Sequence, residues 1–205
     1  MNRRSFVLGA PLALAACGNG VSVWAPDDVV NSVVYQGTGS KSLTLMTMRN
    51  VGSNSGAHTS LLIDASQRVL FDPAGSFFST VVPERNDVLF GISPQIETYY
   101  ISYHARETYY VEAQKVTVSP QVAEAALRLA LANGPVPKAG CAKATSGILR
   151  QLPGFESMGS TYFPVTLRNR FEKLPNVALT VYREDDADDN STAAAQINAA
   201  LTTGQ

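Results

Sequence analysis

Two residues in this sequence have the positions needed for an activated thiol. Cys141 lies in the stretch KAGCAKATSGIL, in the first turn of a predicted helix, where unpaired backbone N–H groups and the helix dipole favour a thiolate. His58 begins a predicted strand directly after the glycine-rich turn NVGSNSG, where an imidazole can lie at the edge of a cleft. An imidazole that takes the thiol proton makes the sulfur a nucleophile, and a third group must fix the ring by accepting a hydrogen bond from its far nitrogen. The two residues therefore indicate nucleophilic thiol chemistry if the fold brings them together.

Cys141 also has a purely structural interpretation, because buried and unreactive cysteines are common in protein cores. One face of its predicted helix is formed by Cys141, Thr145, Ile148, Leu149 and Leu152. From position alone, both interpretations remain open. The other histidine, His104, ends a predicted helix and is expected to complement the dipole of that helix. The tyrosines of the same helix are expected to be core and rim residues.

The elements that must position these residues are strands followed by helices. Strands are predicted at 41–49, 58–63, 68–72, 109–118 and 177–182, and helices from residues 94, 120, 141 and 164. This order predicts an α+β domain over 41–182, with an antiparallel sheet and helices packed on one side. In the first strand the apolar positions shift from Leu43 and Leu45 to Met46 and Met48, which predicts apolar groups on both faces or a bulge.

The strand pair GAHTSLLID and RVLFDPAG, followed much later by a helix that opens GCAKATS, resembles the circularly permuted branch of the NlpC/P60 superfamily. These papain-like thiol enzymes include relatives of lecithin retinol acyltransferase, and the resemblance covers about residues 41–182. It implies a permuted papain-like fold, with Cys141 as the nucleophile and His58 as the base. The third position of the site lies on the next strand, where this sequence has Asp72 and relatives often have histidine or another polar residue.

The assignment of Asp72 depends on strand register, because directly opposed residues of an antiparallel pair point to the same face. If the loop has an odd length, as 64–66 would, His58 lies opposite Asp72. With an even loop, Asp72 turns to the other face. Asp72 is also a plausible turn former in the sequence Asp-Pro-Ala-Gly, and Asp64 and Asn54 are the alternatives for the third position.

The N-terminus has the pattern of a bacterial export signal. Residues 1–16 carry two arginines before a short apolar stretch, which predicts a signal peptide of the twin-arginine or the ordinary secretory type. The sequence Leu-Ala-Ala-Cys that ends at Cys17 resembles a lipobox, so Cys17 is expected to carry a lipid. Residues 17–40 are then a linker to the membrane. Gly18 weakly favours the outer membrane, and the domain is expected in the cell envelope, facing the periplasm.

Composition excludes several classes of function. The net charge of −1 and the charged fraction of 16% give no sign of nucleic-acid binding. No metal or other cofactor is expected, since the aspartates of the acidic tail at 183–205 lack the spacing of a calcium loop. That tail is expected to be mobile or to form a loosely docked helix.

With Cys17 lipidated, Cys141 is left as an unpaired thiol.

Taken together, the sequence predicts a monomeric, lipid-anchored envelope protein that acts as a cysteine hydrolase or acyltransferase. The expected substrate is an amide of cell-wall peptide, or a lipid ester. The alternative is a binding or structural lipoprotein that keeps the fold without turnover.

Overall fold

The computed structural model describes residues 22–203, which form a mixed α+β structure around one antiparallel sheet. The strands are β1 (Ser42–Asn50), β2 (Gly56–Asp64), β3 (Arg68–Phe71), β4 (Glu84–Arg85), β5 (Val88–Leu89), β6 (Tyr109–Thr117) and β7 (Ala178–Tyr182). The helices are α1 (Asp27–Ser32), α2 (Pro94–His104), α3 (Pro120–Ala132), α4 (Cys141–Leu149), α5 (Pro164–Phe171) and α6 (Asn190–Thr203), with a 3₁₀ turn at Glu156–Met158. The seven strands lie in the order β4-β5-β3-β2-β1-β6-β7.

Strand β1 lies between β2 and β6 and is buried on both faces, as its sequence predicts. Leu43 and Leu45 belong to one buried cluster, and Met46 and Met48 belong to another on the opposite face. The pairing with β2 also shifts at Met48, so β1 has both the two-faced pattern and an irregularity.

Helices cover both faces of the sheet, so the prediction that they pack on one side is wrong. Helices α3, α4 and α5 contribute to the cluster that contains Leu43 and Leu45, whereas α2 and α6 contribute to the cluster that contains Met46 and Met48. The physical reason lies in β1 itself, because a strand that is apolar on both faces needs cover on both.

Residues 22–40 lie against the domain instead of forming a free linker. The Arg85 guanidinium stacks 4.7 Å from the centre of the Trp24 ring, and the Arg68 backbone N–H donates to the Tyr35 carbonyl. Val30 of α1 is buried in the core. The predicted signal peptide and Cys17 lie outside the described residues. Within 22–203, no helix combines the length and the apolar character needed to cross a bilayer.

The acidic C-terminal segment is a docked helix, which was one of the two expectations for it. Asp189 caps the start of α6 by accepting hydrogen bonds from Ser191 and Thr192. Ala193 and Ile197 are buried in the same cluster as the tyrosines of α2. The segment therefore completes the second face of the core.

We expect Ile197→Ala to lower the free energy of unfolding by about 2 kcal/mol, because it removes a buried aliphatic side chain from that cluster. Val181→Ala in the exposed strand β7 is the matched control and should cost less than about 0.5 kcal/mol. Urea unfolding followed by circular dichroism measures both. Equal, small effects would mean that α6 does not stabilise the domain.

Candidate functional site

The N-terminus of α4 lies against the first half of β2. Strand β3 pairs with β2 only from Leu61 to Asp64, so among the described strands the first residues of β2 have β1 as their only partner. The backbone N–H of Thr59, on the open edge of β2, is one of the groups that lower the pKa of the Cys141 thiol. Because β3 is short, the N-terminus of α4 and the Cys141 sulfur can lie against the edge of β2.

His58 and Asp72 are joined by a hydrogen bond of 2.7 Å between Nε2 and Oδ1. The loop between β2 and β3 is 65–67, of odd length, so the two side chains share a face. The two residues are not directly opposed. Leu61 pairs with Phe71, so a continued ladder would place Ser60, two residues after His58, opposite Asp72. The prediction that His58 lies directly opposite Asp72 is therefore wrong, and the two side chains meet diagonally across the strand pair.

Asp72 is fixed by its own turn and by α2. Its backbone carbonyl accepts from Gly75 N–H at 3.0 Å, and Ala74 has a φ of 55°, so Asp-Pro-Ala-Gly is a tight turn. The Tyr100 hydroxyl donates to Oδ1 at 2.6 Å. A Cβ on Gly75 would lie 1.9 Å from Oδ2, so only glycine fits beside this carboxylate. Asp72 is thus both the turn former and the partner of His58.

The charges of His58 and Asp72 stabilise each other in a buried environment. Burial alone would lower the pKa of His58, but the charge and hydrogen bond of Asp72, helped by Cys141, raise it to about 10. Burial would raise the pKa of Asp72, yet the His58 charge and hydrogen bond, with the Tyr100 hydroxyl, hold it below its ordinary value. At neutral pH the pair is an imidazolium and a carboxylate.

The Cys141 thiol is the third member of this arrangement. Burial raises its pKa, but the hydrogen bond and charge of His58, followed by the backbone N–H groups of Thr59 and Ala142, outweigh burial and lower the pKa. Because Nε2 of His58 is engaged by Asp72, Nδ1 is the ring nitrogen left for the sulfur. Within the described residues, α4 has no side-chain cap, so its first turn keeps N–H groups for an anion.

Residues Tyr100 and His104 of α2 also belong to the site, which the sequence interpretation missed. The His104 ring lies 6.0 Å from the His58 ring, nearly parallel to it, and its Nδ1 bonds the Tyr100 carbonyl at 2.8 Å. Burial, together with the His58 charge and against that of Asp72, lowers the pKa of His104 to about 4. The ring thus complements the C-terminal end of α2 through this hydrogen bond, as a neutral donor and not as a cation. The spacing of Tyr100 and His104, one helical turn apart, was the available signal.

An open cleft of about 380 Å³ borders the histidines. Its lining includes His58, Gly75, Ser76, Tyr103 and His104. Within the described part of the chain, Cys141 does not line this cleft, and the residue exposes only 6% of its surface. The cleft therefore gives solvent access to the His58 imidazole and not to the Cys141 sulfur.

The alternatives for the third position serve elsewhere. Asp64 forms an ion pair with Lys41, and Asn54 accepts a hydrogen bond from the Tyr110 hydroxyl. Among residues 22–203, no group of three histidine, cysteine or acidic side chains is placed to hold a metal ion. In the acidic tail, the Asp188 carboxylate accepts a hydrogen bond from the Thr108 backbone N–H.

Comparisons of the chain with protein-family models, with curated proteins and with solved structures find no match. The chemistry inferred for the site therefore depends on its own geometry.

We expect Asp72→Asn to lower the pKa of His58, because burial would then no longer be opposed by a carboxylate. Titration of the two histidine side chains by NMR measures this, with His104→Gln assigning the signals. The matched control is Asp64→Asn, which removes a buried carboxylate at the other end of β2. A His58 pKa that responds equally to both changes would contradict the role of Asp72.

The pH dependence of stability tests the thiol–imidazole pair. Folding raises the pKa of His58 from 6.5 to about 10, which stabilises the folded chain. This stabilisation is full below pH 6.5 and is lost as the pH rises towards 10. Folding lowers the pKa of Cys141 from 9.0, a contribution that is gained as the pH rises to 9. Above pH 6.5 only the folded chain holds the imidazole proton, and below pH 9 the lowered pKa of the folded thiol means that the unfolded chain holds more of the thiol proton, so the two effects on stability oppose each other.

The free energy of unfolding should therefore fall less steeply between about pH 6.5 and 9 in the native protein than in Cys141→Ala, in which only the histidine contribution remains. Urea unfolding at several pH values measures both curves. Equal slopes for the two proteins would mean that the Cys141 thiol keeps its proton in the folded chain.

Proposed function

We propose that this chain is an envelope lipoprotein that acts as a cysteine hydrolase or acyltransferase through Cys141, His58 and Asp72. One observation carries the proposal: the His58 imidazole bonds Asp72 through Nε2 at 2.7 Å and lowers the pKa of the neighbouring Cys141 thiol. A thiolate beside an imidazolium that a carboxylate orients is the arrangement of an activated nucleophile.

In the first step the Cys141 thiolate attacks the carbonyl carbon of an amide or ester. A sulfur–carbon bond forms, and the carbonyl electrons move onto oxygen. The uncapped first turn of α4 offers the Cys141 backbone N–H, with a neighbouring donor, to that oxyanion. As the tetrahedral intermediate collapses, the bond to the leaving nitrogen or oxygen breaks, and His58 gives its proton to the leaving group.

In the second step His58 is neutral and takes a proton from water or from an acceptor alcohol or amine. The oxygen or nitrogen of that molecule bonds to the acyl carbon, the sulfur–carbon bond breaks, and the thiolate is regenerated beside the imidazolium. Asp72 keeps the ring orientation through both steps, since the Tyr100 hydroxyl holds its carboxylate in place.

The permuted NlpC/P60-like arrangement is part of the same proposal. What supports it is the order of parts in the chain: the histidine strand β2 comes first, the acidic residue follows directly after β3, and the helix that begins with Cys141 comes much later. The sheet with helices on both faces is the coarser architecture within which this order occurs.

The substrate class proposed first is a cell-wall peptide amide, and a lipid ester is second. Both follow from the signal-like residues 1–16 and the lipobox ending at Cys17, which would tether the domain to a membrane of a bacterial envelope. The tether makes both polymers of the wall and lipids of the bilayer neighbours of the site.

A second candidate is a lipoprotein that binds a ligand without turnover. The observation that favours it is the burial of Cys141, which exposes 6% of its surface while the cleft borders His58. The two candidates differ in the reactivity of the thiol.

We expect iodoacetamide to label Cys141 at about pH 6 roughly ten times faster than an ordinary thiol, because a larger thiolate fraction outweighs its lower intrinsic nucleophilicity. Mass spectrometry of the labelled peptide measures the rate on the folded chain. His58→Ala should bring the rate to that of an ordinary thiol or below, whereas His104→Gln should keep most of it.

Labelling only after denaturation would favour the binding protein. If labelling is fast, the acyl group that envelope extracts leave on Cys141, identified by mass, separates a wall peptide from a lipid ester.

A further inference from the structure

Asp87 occupies a turn position that its residue type does not favour. It forms, with Asn86, the two-residue turn between β4 and β5, and both residues have positive φ, 44° for Asn86 and 67° for Asp87. In such a turn the second position is usually glycine, because side chains are strained there. An aspartate at this place suggests that the carboxylate is used.

The contacts of Asp87 join two segments that carry site residues. Its carboxylate accepts hydrogen bonds from the backbone N–H of Val136 at 2.7 Å and of Ala74 at 3.3 Å. Its backbone carbonyl accepts from Asp72 N–H at 2.7 Å. Ala74 belongs to the turn that holds the Asp72 side chain, and Val136 lies in the loop before Cys141.

The link from Val136 to Cys141 is short and constrained. Gly140 N–H bonds the Pro137 carbonyl at 3.0 Å, and Ala139 is held at a φ of 64°. A Cβ on Gly140 would lie 2.6 Å from a methyl of Val136, so the loop folds closely on itself. Because little freedom remains between them, the place of Val136 fixes where α4 and its first residue begin.

We propose that Asp87 is a positioning residue of this site, holding the loop that delivers Cys141 against the turn that delivers Asp72. This inference rests on the proposed function, since it concerns the alignment of the same sulfur, imidazole and carboxylate. Asp87 acts through the backbone of both segments and touches none of the reacting atoms.

When Asp87 is replaced, the direction in which the pKa of Cys141 changes distinguishes an effect of charge from an effect of alignment. Asp72 and His58 act on it electrostatically, and Glu84 accepts a hydrogen bond from its backbone N–H. Removing a negative charge from this neighbourhood would, by charge alone, make a nearby thiolate easier to form. Loss of alignment would do the opposite, because the His58 imidazole and the Thr59 backbone N–H, which lower the pKa of Cys141, would no longer be held near the sulfur.

The test is the pH profile of Cys141 labelling by iodoacetamide in the full chain, native and Asp87→Asn. Asparagine can still accept from Val136 but presents its amide to the Ala74 N–H, which is a donor facing a donor. We expect the midpoint to move up by about one pH unit, with a fall of roughly threefold to tenfold in the rate near pH 6.

Two further variants separate alignment from stability. Asp87→Gly removes the carboxylate while relieving the turn, so it should move the midpoint upward with a smaller loss of melting temperature than Asp87→Asn. Asp64→Asn removes another buried carboxylate and should lower the melting temperature without moving the midpoint.

The outcomes distinguish this inference from the proposed function. A native midpoint at the ordinary thiol value overturns both. A low native midpoint that is unchanged or moves down in Asp87→Asn and Asp87→Gly overturns the role of Asp87 alone. Unfolding of both variants at room temperature would also overturn it, since the carboxylate would then support the whole fold.

Discussion

The part-buried hydrogen bond between His58 and Asp72 is the interaction on which the site depends. An imidazolium is costly to bury alone, and so is a carboxylate, but at 2.7 Å each offsets the desolvation of the other. The positive ring then lowers the pKa of the Cys141 thiol against the effect of burial. Without the carboxylate the ring would be neutral, and burial would keep the proton on sulfur.

Several parts of the fold serve this one contact. Strand β3 is short, which opens the edge of β2 to the start of α4, and the turn after β3 brings Asp72 back towards His58. Helix α2 covers the face of the sheet that carries Met48 and His58, and it adds the Tyr100 hydroxyl to Asp72.

Sequence patterns predicted β1, β2, β3, β6 and β7, the helices α2 to α5 and the three candidate site residues, because strand alternation, proline and serine caps and residue type are local properties. The short strands β4 and β5 and helix α1 were not predicted. The cover of both faces was missed, although Met46 and Met48 on β1 indicated it. Tyr100, His104 and Asp87 were missed because their roles come from contacts between distant segments. The diagonal register of His58 and Asp72 depended on one loop residue, Gln67, which local preference does not decide.

The small exposure of Cys141 bears on how an unpaired sulfur would survive in an oxidising compartment. Exchange with a disulfide requires three sulfur atoms in line, and hence open space behind the attacked bond. A sulfur in a residue that exposes 6% of its surface offers little of that space. In the oxidising compartment proposed for this protein, concealment would protect the thiolate from mixed-disulfide formation, and small oxidants such as peroxide would remain its main chemical hazard.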